Sequence, residues 1–88
     1  MTDMTPDELQ TLIDRFEEVL MVRHHRLGDK NAKKEARFMA DSLGNTNTAS
    51  LLHRAIDASG PHKELFARRH ISSARGWLGP MREQNRIW

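Results

Sequence analysis

Apolar residues return at three- and four-residue intervals along most of the chain, with polar residues filling the positions between. Leu9, Leu12, Ile13, Phe16, Val19 and Leu20 form the first such stripe, the spacing of a helix with one buried face. Thr5-Pro6-Asp7-Glu8 precedes it. Thr5 suits the N-cap, Pro6 brings a preset φ to the first helical position, and Glu8 stands where it closes a capping box. Gly28 marks the end, so the pattern predicts a first helix over 6–27. Met21 and Val22 fall off its main stripe. They are expected to widen the buried face or to meet a partner or a second copy of the chain.

The next stripe is made of small residues. Ala32, Ala36, Met39, Ala40 and Leu43 share one face of a second helix, over 31–43. Gly28-Asp29-Lys30-Asn31 is the turn before it, with Asp29 or Asn31 as the cap. Gly44 follows the last periodic residue, where a left-handed cap is expected. Thr46, Asn47 or Thr48 then caps a third helix, over 48–59, whose apolar face is Leu51, Leu52, Ala55 and Ile56. Ser59-Gly60-Pro61 separates it from a fourth, over 61–78, with Phe66, Ala67, His70, Ile71, Ala74, Trp77 and Leu78 on its apolar side and Leu65 at the border. Gly79-Pro80 is expected to stop that helix. The fold class expected is all-α: a compact four-helix domain over 1–80 with short connections, and a C-terminal tail at 81–88. Leu12, Phe16, Met39, Leu43, Leu52, Ile56, Ile71 and Trp77 are its expected core.

Within this pattern, Ala40 stands four positions before Gly44 and Leu43 directly before it. That spacing resembles the helix-turn-helix of many repressors, in which a second helix docks into the major groove. The likeness covers about 20 residues, from Ala36 to Ile56. It departs at Ser50, where the repressors carry an apolar residue; Leu51 fills the role if the turn is one residue longer. The resemblance implies that the third helix presents Asn47, Thr48, Ser50, His53 and Arg54 to a groove. The alternative is an ordinary αα-corner in a small bundle.

Charge adds a second strand to the argument. The net charge is only +2, but residues 1–20 hold six acids against one base, Arg15, and the remaining residues carry the basic excess. The densest basic segment is 21–37, with Arg23, Arg26, Lys30, Lys33, Lys34 and Arg37 against Asp29 and Glu35. A positive field of this kind favours polyanions or an acidic protein surface. Lys30, Lys33, Lys34 and Arg37 lie on the outer side of the second helix and its turn, where they could reach phosphates. Arg23-His24-His25-Arg26 closes the first helix and complements the negative end of its dipole. Adjacent histidines on a helix diverge by roughly 100°, so this pair is ill placed to share a metal.

Other chemistry is sparse. There is no Cys, hence no disulfide and no thiolate site. The five histidines, at 24, 25, 53, 62 and 70, do not have metal-ligand spacing. No glycine-rich phosphate loop, HExxH or nucleophile elbow occurs, so neither a catalytic residue nor a cofactor is assigned. No apolar run approaches the roughly 20 residues of a membrane helix. The polar, acidic start is unlike a signal peptide, and the expected location is cytoplasmic. These observations point to a small non-enzymatic binding protein, favoured as a nucleic-acid-binding regulator. The alternative is a protein-binding modulator or inhibitor, of the kind phages and plasmids use as accessory proteins. Met21, Val22, Ile87 and Trp88, the apolar residues outside the simplest core, are the expected partner or homodimer surface.

Overall fold

The computed structural model describes residues 4–58 and 63–88. The first helix starts as its sequence prescribes. The Thr5 hydroxyl accepts the Glu8 N–H at 3.2 Å, and the Glu8 carboxylate accepts the Thr5 N–H at 3.2 Å. This α1, Pro6–Glu17, continues without a break into a π-helical segment, Glu18–Arg26. In that segment the Leu27 N–H reaches back five residues to the Val22 carbonyl, at 2.9 Å. Together the two run roughly 30 Å, most of the molecule's longest dimension of 37 Å.

The π-helical turns correct one expectation. A wider turn puts more residues in each revolution, so consecutive side chains diverge less and three in a row can face inward. Val19, Leu20 and Met21 are all buried. Met21, expected at a partner surface, is therefore core, and Val22 is half-buried. The segment ends at Gly28 with φ +66°, the left-handed conformation that glycine adopts without steric cost. The Asp29 carboxylate then clamps the turn. It accepts from Arg23 at 2.7 and 3.1 Å and from the Asn31 N–H at 2.9 Å. Arg23 also donates to Glu35 in the next helix. The hydrogen bond from Arg23 holds the Asp29 carboxyl below its usual range, and Asp29 in turn raises the guanidinium.

Helix α2, Ala32–Asp41, buries Ala32, Ala36 and Ala40. Gly44, at φ +63°, turns the chain, and Thr46 caps α3, Asn47–Asp57, by accepting the Ala49 N–H at 3.0 Å. The expected turn at Ser59-Gly60-Pro61 lies outside the described residues. Helix α4, Glu64–Gly76, packs chiefly on α3. Its buried row is Ala67, Ile71 and Ala74, narrower than expected. Phe66 precedes Ala67 by one position and so points about 100° away; it is 55% exposed, and Leu65 is more exposed still.

Gly79-Pro80 does not end the helical run. A short helix α5, Leu78–Gln84, begins after Trp77 and holds both residues in its first turn, where the missing proline N–H has no intrahelical partner to lose. Met81 is fully buried, and the stretch expected to be a polar tail thus joins the core. Asn85, at φ +52°, closes α5. The architecture is all-α, with no strand among the described residues. Phe16, Leu43, Leu52, Ile56 and Ile71 are buried as expected; Leu12, Met39 and Trp77 pack against the core with part of their surface open.

Phe16 is the largest fully buried side chain. Phe16→Ala should cost about 3–5 kcal/mol, a large share of a small domain's stability. Urea titration followed by circular dichroism measures it; an unchanged midpoint would contradict this packing.

Candidate nucleic-acid interface

All three buried positions of α2 are alanines on one side, with Met39 packed partly against the core beside them, so most of its remaining circumference is open to solvent. Lys30, Lys33, Lys34 and Arg37 are exposed there and line one shallow depression together with Asn31. None of them forms an ion pair among the described residues. Two cations of the C-terminal helices behave differently. Arg75 bridges Asp14 at 2.6 Å and Glu17 at 2.9 Å, and Arg82 bridges Asp7 at 3.1 Å. Burial alone would pull the Arg75 guanidinium down, but its hydrogen bonds to Glu17 and Asp14 outweigh this and raise it. Much of the acidic charge of the first helix is thus answered by α4 and α5, leaving the cations of α2 unanswered.

The turn between α2 and α3 has the features of the helix-turn-helix resemblance: Ala40 and Leu43 are buried and Gly44 takes a positive φ. Leu51 is half-buried and Leu52 fully buried beyond the exposed Ser50. Of the side chains expected to face a groove, Asn47, Ser50 and Arg54 are exposed. Thr48 is not, with no solvent exposure and a buried hydroxyl lacking a hydrogen-bond partner. It follows the N-cap by two residues, on the side that α3 turns inward. His53 is half-buried, its Nε2 3.0 Å from the Asp41 carboxylate at the end of α2. That contact joins the flank of α3 to the flank of α2.

The C-terminal residues sit over the start of α3. The Thr48 N–H donates to the Trp88 carbonyl at 3.0 Å, and the Trp88 indole donates to Gln84 at 3.1 Å. Trp77 and Trp88 lie 6.2 Å apart, ring centre to ring centre. Ile87 and Trp88, expected at a partner surface, are half-buried against the core. The large apolar side chains that do face solvent are Leu27, Phe38, Leu65 and Phe66. Sequence reasoning passed over Phe38. The signal was its spacing: it lies four residues after Lys34 and off the Ala32–Ala36–Ala40 row.

No group of three or more His, Asp or Glu residues that could hold a metal exists among the described residues, and none of their helices is long and apolar enough to cross a membrane. His24 and His25 meet edge to face at 5.2 Å. No protein family, no curated protein and no solved structure matches the chain.

His25 gives a pH-dependence. Its Nε2 is buried without a partner. Burial and the neighbouring His24 and Arg68 hold the imidazole below its ordinary pKa, against the pull of Glu64. The unfolded chain therefore binds this proton more readily. The stabilisation is complete above the unfolded-state pKa and is lost as pH falls through it towards the folded value. Thermal melts between about pH 8 and pH 5 should show a shallower loss of stability on acidification for His25→Leu than for the wild type. Parallel curves would count against a buried neutral imidazole.

Proposed function

We propose that the protein is a non-enzymatic, nucleic-acid-binding regulator acting in the cytoplasm, with α2 and its preceding turn gripping phosphates and α3 alongside. The carrying observation is the exposed, unpaired set Lys33, Lys34 and Arg37 on one helix whose buried positions are alanines, with Lys30 in the turn before it. Unpaired surface cations bind a polyanion by releasing its counterions, without first breaking an internal bridge. Asn47, Ser50 and Arg54 supply donors and acceptors for base edges, and Arg54 suits a guanine. Thr48 has no part in this reading, and His53 contributes only if it leaves Asp41.

A second reading has its own observation. Leu65 and Phe66, at the start of α4, are 80% and 55% exposed, and exposed apolar residues of this size suit a protein partner. On that reading the chain modulates or inhibits another protein, in the manner of a phage or plasmid accessory protein.

Titration of mixed-sequence duplex DNA at low and moderate salt separates the two. Lys33→Ala and Lys34→Ala should weaken binding to all sequences alike and flatten its salt dependence by about one counterion each. Arg54→Ala should cost about 1–3 kcal/mol on a preferred sequence and relax the preference. Absence of binding at low salt, to duplex and single strands alike, would remove the nucleic-acid reading in favour of the protein partner. Dependence on the lysines without Arg54 would leave a cationic surface and remove α3 as a reader.

A further inference from the structure

Phe38 is 77% exposed, and it stands among the cations of α2. Lys34 lies one helical turn before it on the same face, Arg37 is its chain neighbour, and Lys30 lies a further turn back. An aromatic ring left in water loses the burial that an inward position would provide, and nothing in the packing requires it there. On its other side Phe38 borders a groove of about 700 Å³ between the first helix and α2. Leu12, Val19 and Met39 give that groove apolar walls, and its charged lining is balanced, Glu8 and Glu35 against Arg15 and Arg23.

The geometry points to Phe38 as a stacking platform for an unpaired base, so that the α2 face takes single-stranded nucleic acid in preference to duplex. This rests on the phosphate-binding role proposed above and names the form of nucleic acid that the surface selects. Charge orients the strand. Phosphates are drawn over Lys30, Lys34 and Arg37, which leaves the bases free to turn towards the ring and the apolar walls. A duplex holds its bases paired and stacked inside and offers the ring only sugar and phosphate, unless the ring wedges between base steps. Cations tracking the backbone beside an aromatic face are the general means of holding single strands with little regard to sequence.

The test uses the full chain and fluorescence anisotropy with end-labelled oligo-dT, oligo-U and a mixed-sequence duplex of the same length. The wild type should bind both single strands more tightly than the duplex; a preference for one of them tells whether DNA or RNA is the better ligand. Phe38→Ala should weaken single-strand binding about five- to a hundredfold and change duplex binding little. Phe38→Leu, apolar but without a π face, should lose as much as Phe38→Ala. Phe38→Trp should keep the affinity and add a fluorescence quench on binding, above the background of Trp77 and Trp88. Because the side chain is mostly in solvent, melting temperatures should stay close to the wild type for all three. Unchanged affinity in Phe38→Ala, full affinity in Phe38→Leu, or an equal loss for duplex and single strand would each overturn the platform while leaving the phosphate-binding surface standing. No binding of any oligonucleotide at low salt would overturn the proposed function, and this inference with it.

Discussion

Ala32, Ala36 and Ala40 of α2, and Ala67 and Ala74 of α4, form a small-residue side of the core, and the first helix packs on these two helices with Leu9, Ile13, Phe16, Val19, Leu20 and Met21 in the core. Close packing at interior density requires this match of large against small. Bulk on both sides would force the helices apart, and alanine on both would leave voids. The long first helix is thus the member on which α2, α4 and α5 are assembled, α3 packing in turn on α2 and α4, and its π-helical end is what turns enough large side chains inward. A further consequence reaches the surface. A helix whose fully buried positions are all alanines spends few of its positions on the core, so α2 is free to place three cations and a phenylalanine outside, beside Lys30 of the preceding turn.

Electrostatics follows the same division. Exposed ion pairs such as those of Arg75 and Arg82 contribute little stability apiece, but they decide where charge is left over. With Asp7, Asp14 and Glu17 engaged by α4 and α5, the field around α2 exceeds what a net charge of +2 suggests. Exposed charges separated by more than about 10 Å at 0.1 M salt are largely screened from one another. The molecule is 19 to 21 Å across its short axes, so a polyanion approaching α2 responds mainly to α2. A chain-wide sum of charges hides a local surface of this kind.

The helices and their starts were legible because their causes are local. Thr5 to Glu8, Gly28, Gly44 and Thr46 each perform a task that depends on a few neighbouring residues. What was not legible depends on contacts distant in sequence or on helix geometry. A spacing argument built on α-helical turns cannot place Met21, because the π-helical segment changes the angle between successive residues. It misplaces Phe66 because an apolar letter beside Ala67 looks inward until the width of the α3–α4 contact is known. Gly79-Pro80 read as a stop, but a proline early in a helix is equally a start, and only the burial of Met81 distinguishes the two. Of the candidate site, the four cations of α2 were readable from charge density. Loss of Thr48 to the interior and the pairing of His53 with Asp41 required the fold.

Those two losses bear on what kind of recognition this surface can perform. Groove reading needs several side chains on one exposed helix face, entering with the helix's first turn. Here the first turn of α3 carries the Trp88 carbonyl on the Thr48 N–H, and the exposed candidates reduce to Asn47, Ser50 and Arg54. A good bidentate contact discriminates by about 1–3 kcal/mol, whereas specific DNA-binding proteins separate their sites from bulk DNA by about 4–10 kcal/mol. Of these three only Arg54 and Asn47 can pair bidentately with a base, together about 2–6 kcal/mol, which reaches only the lower part of that range. The counterion-release contribution of four cations has no such limit from geometry and is independent of sequence. On these magnitudes affinity outweighs sequence choice at this surface. If the surface acts as proposed, discrimination would come from the form of the nucleic acid, through an exposed ring beside a cationic row.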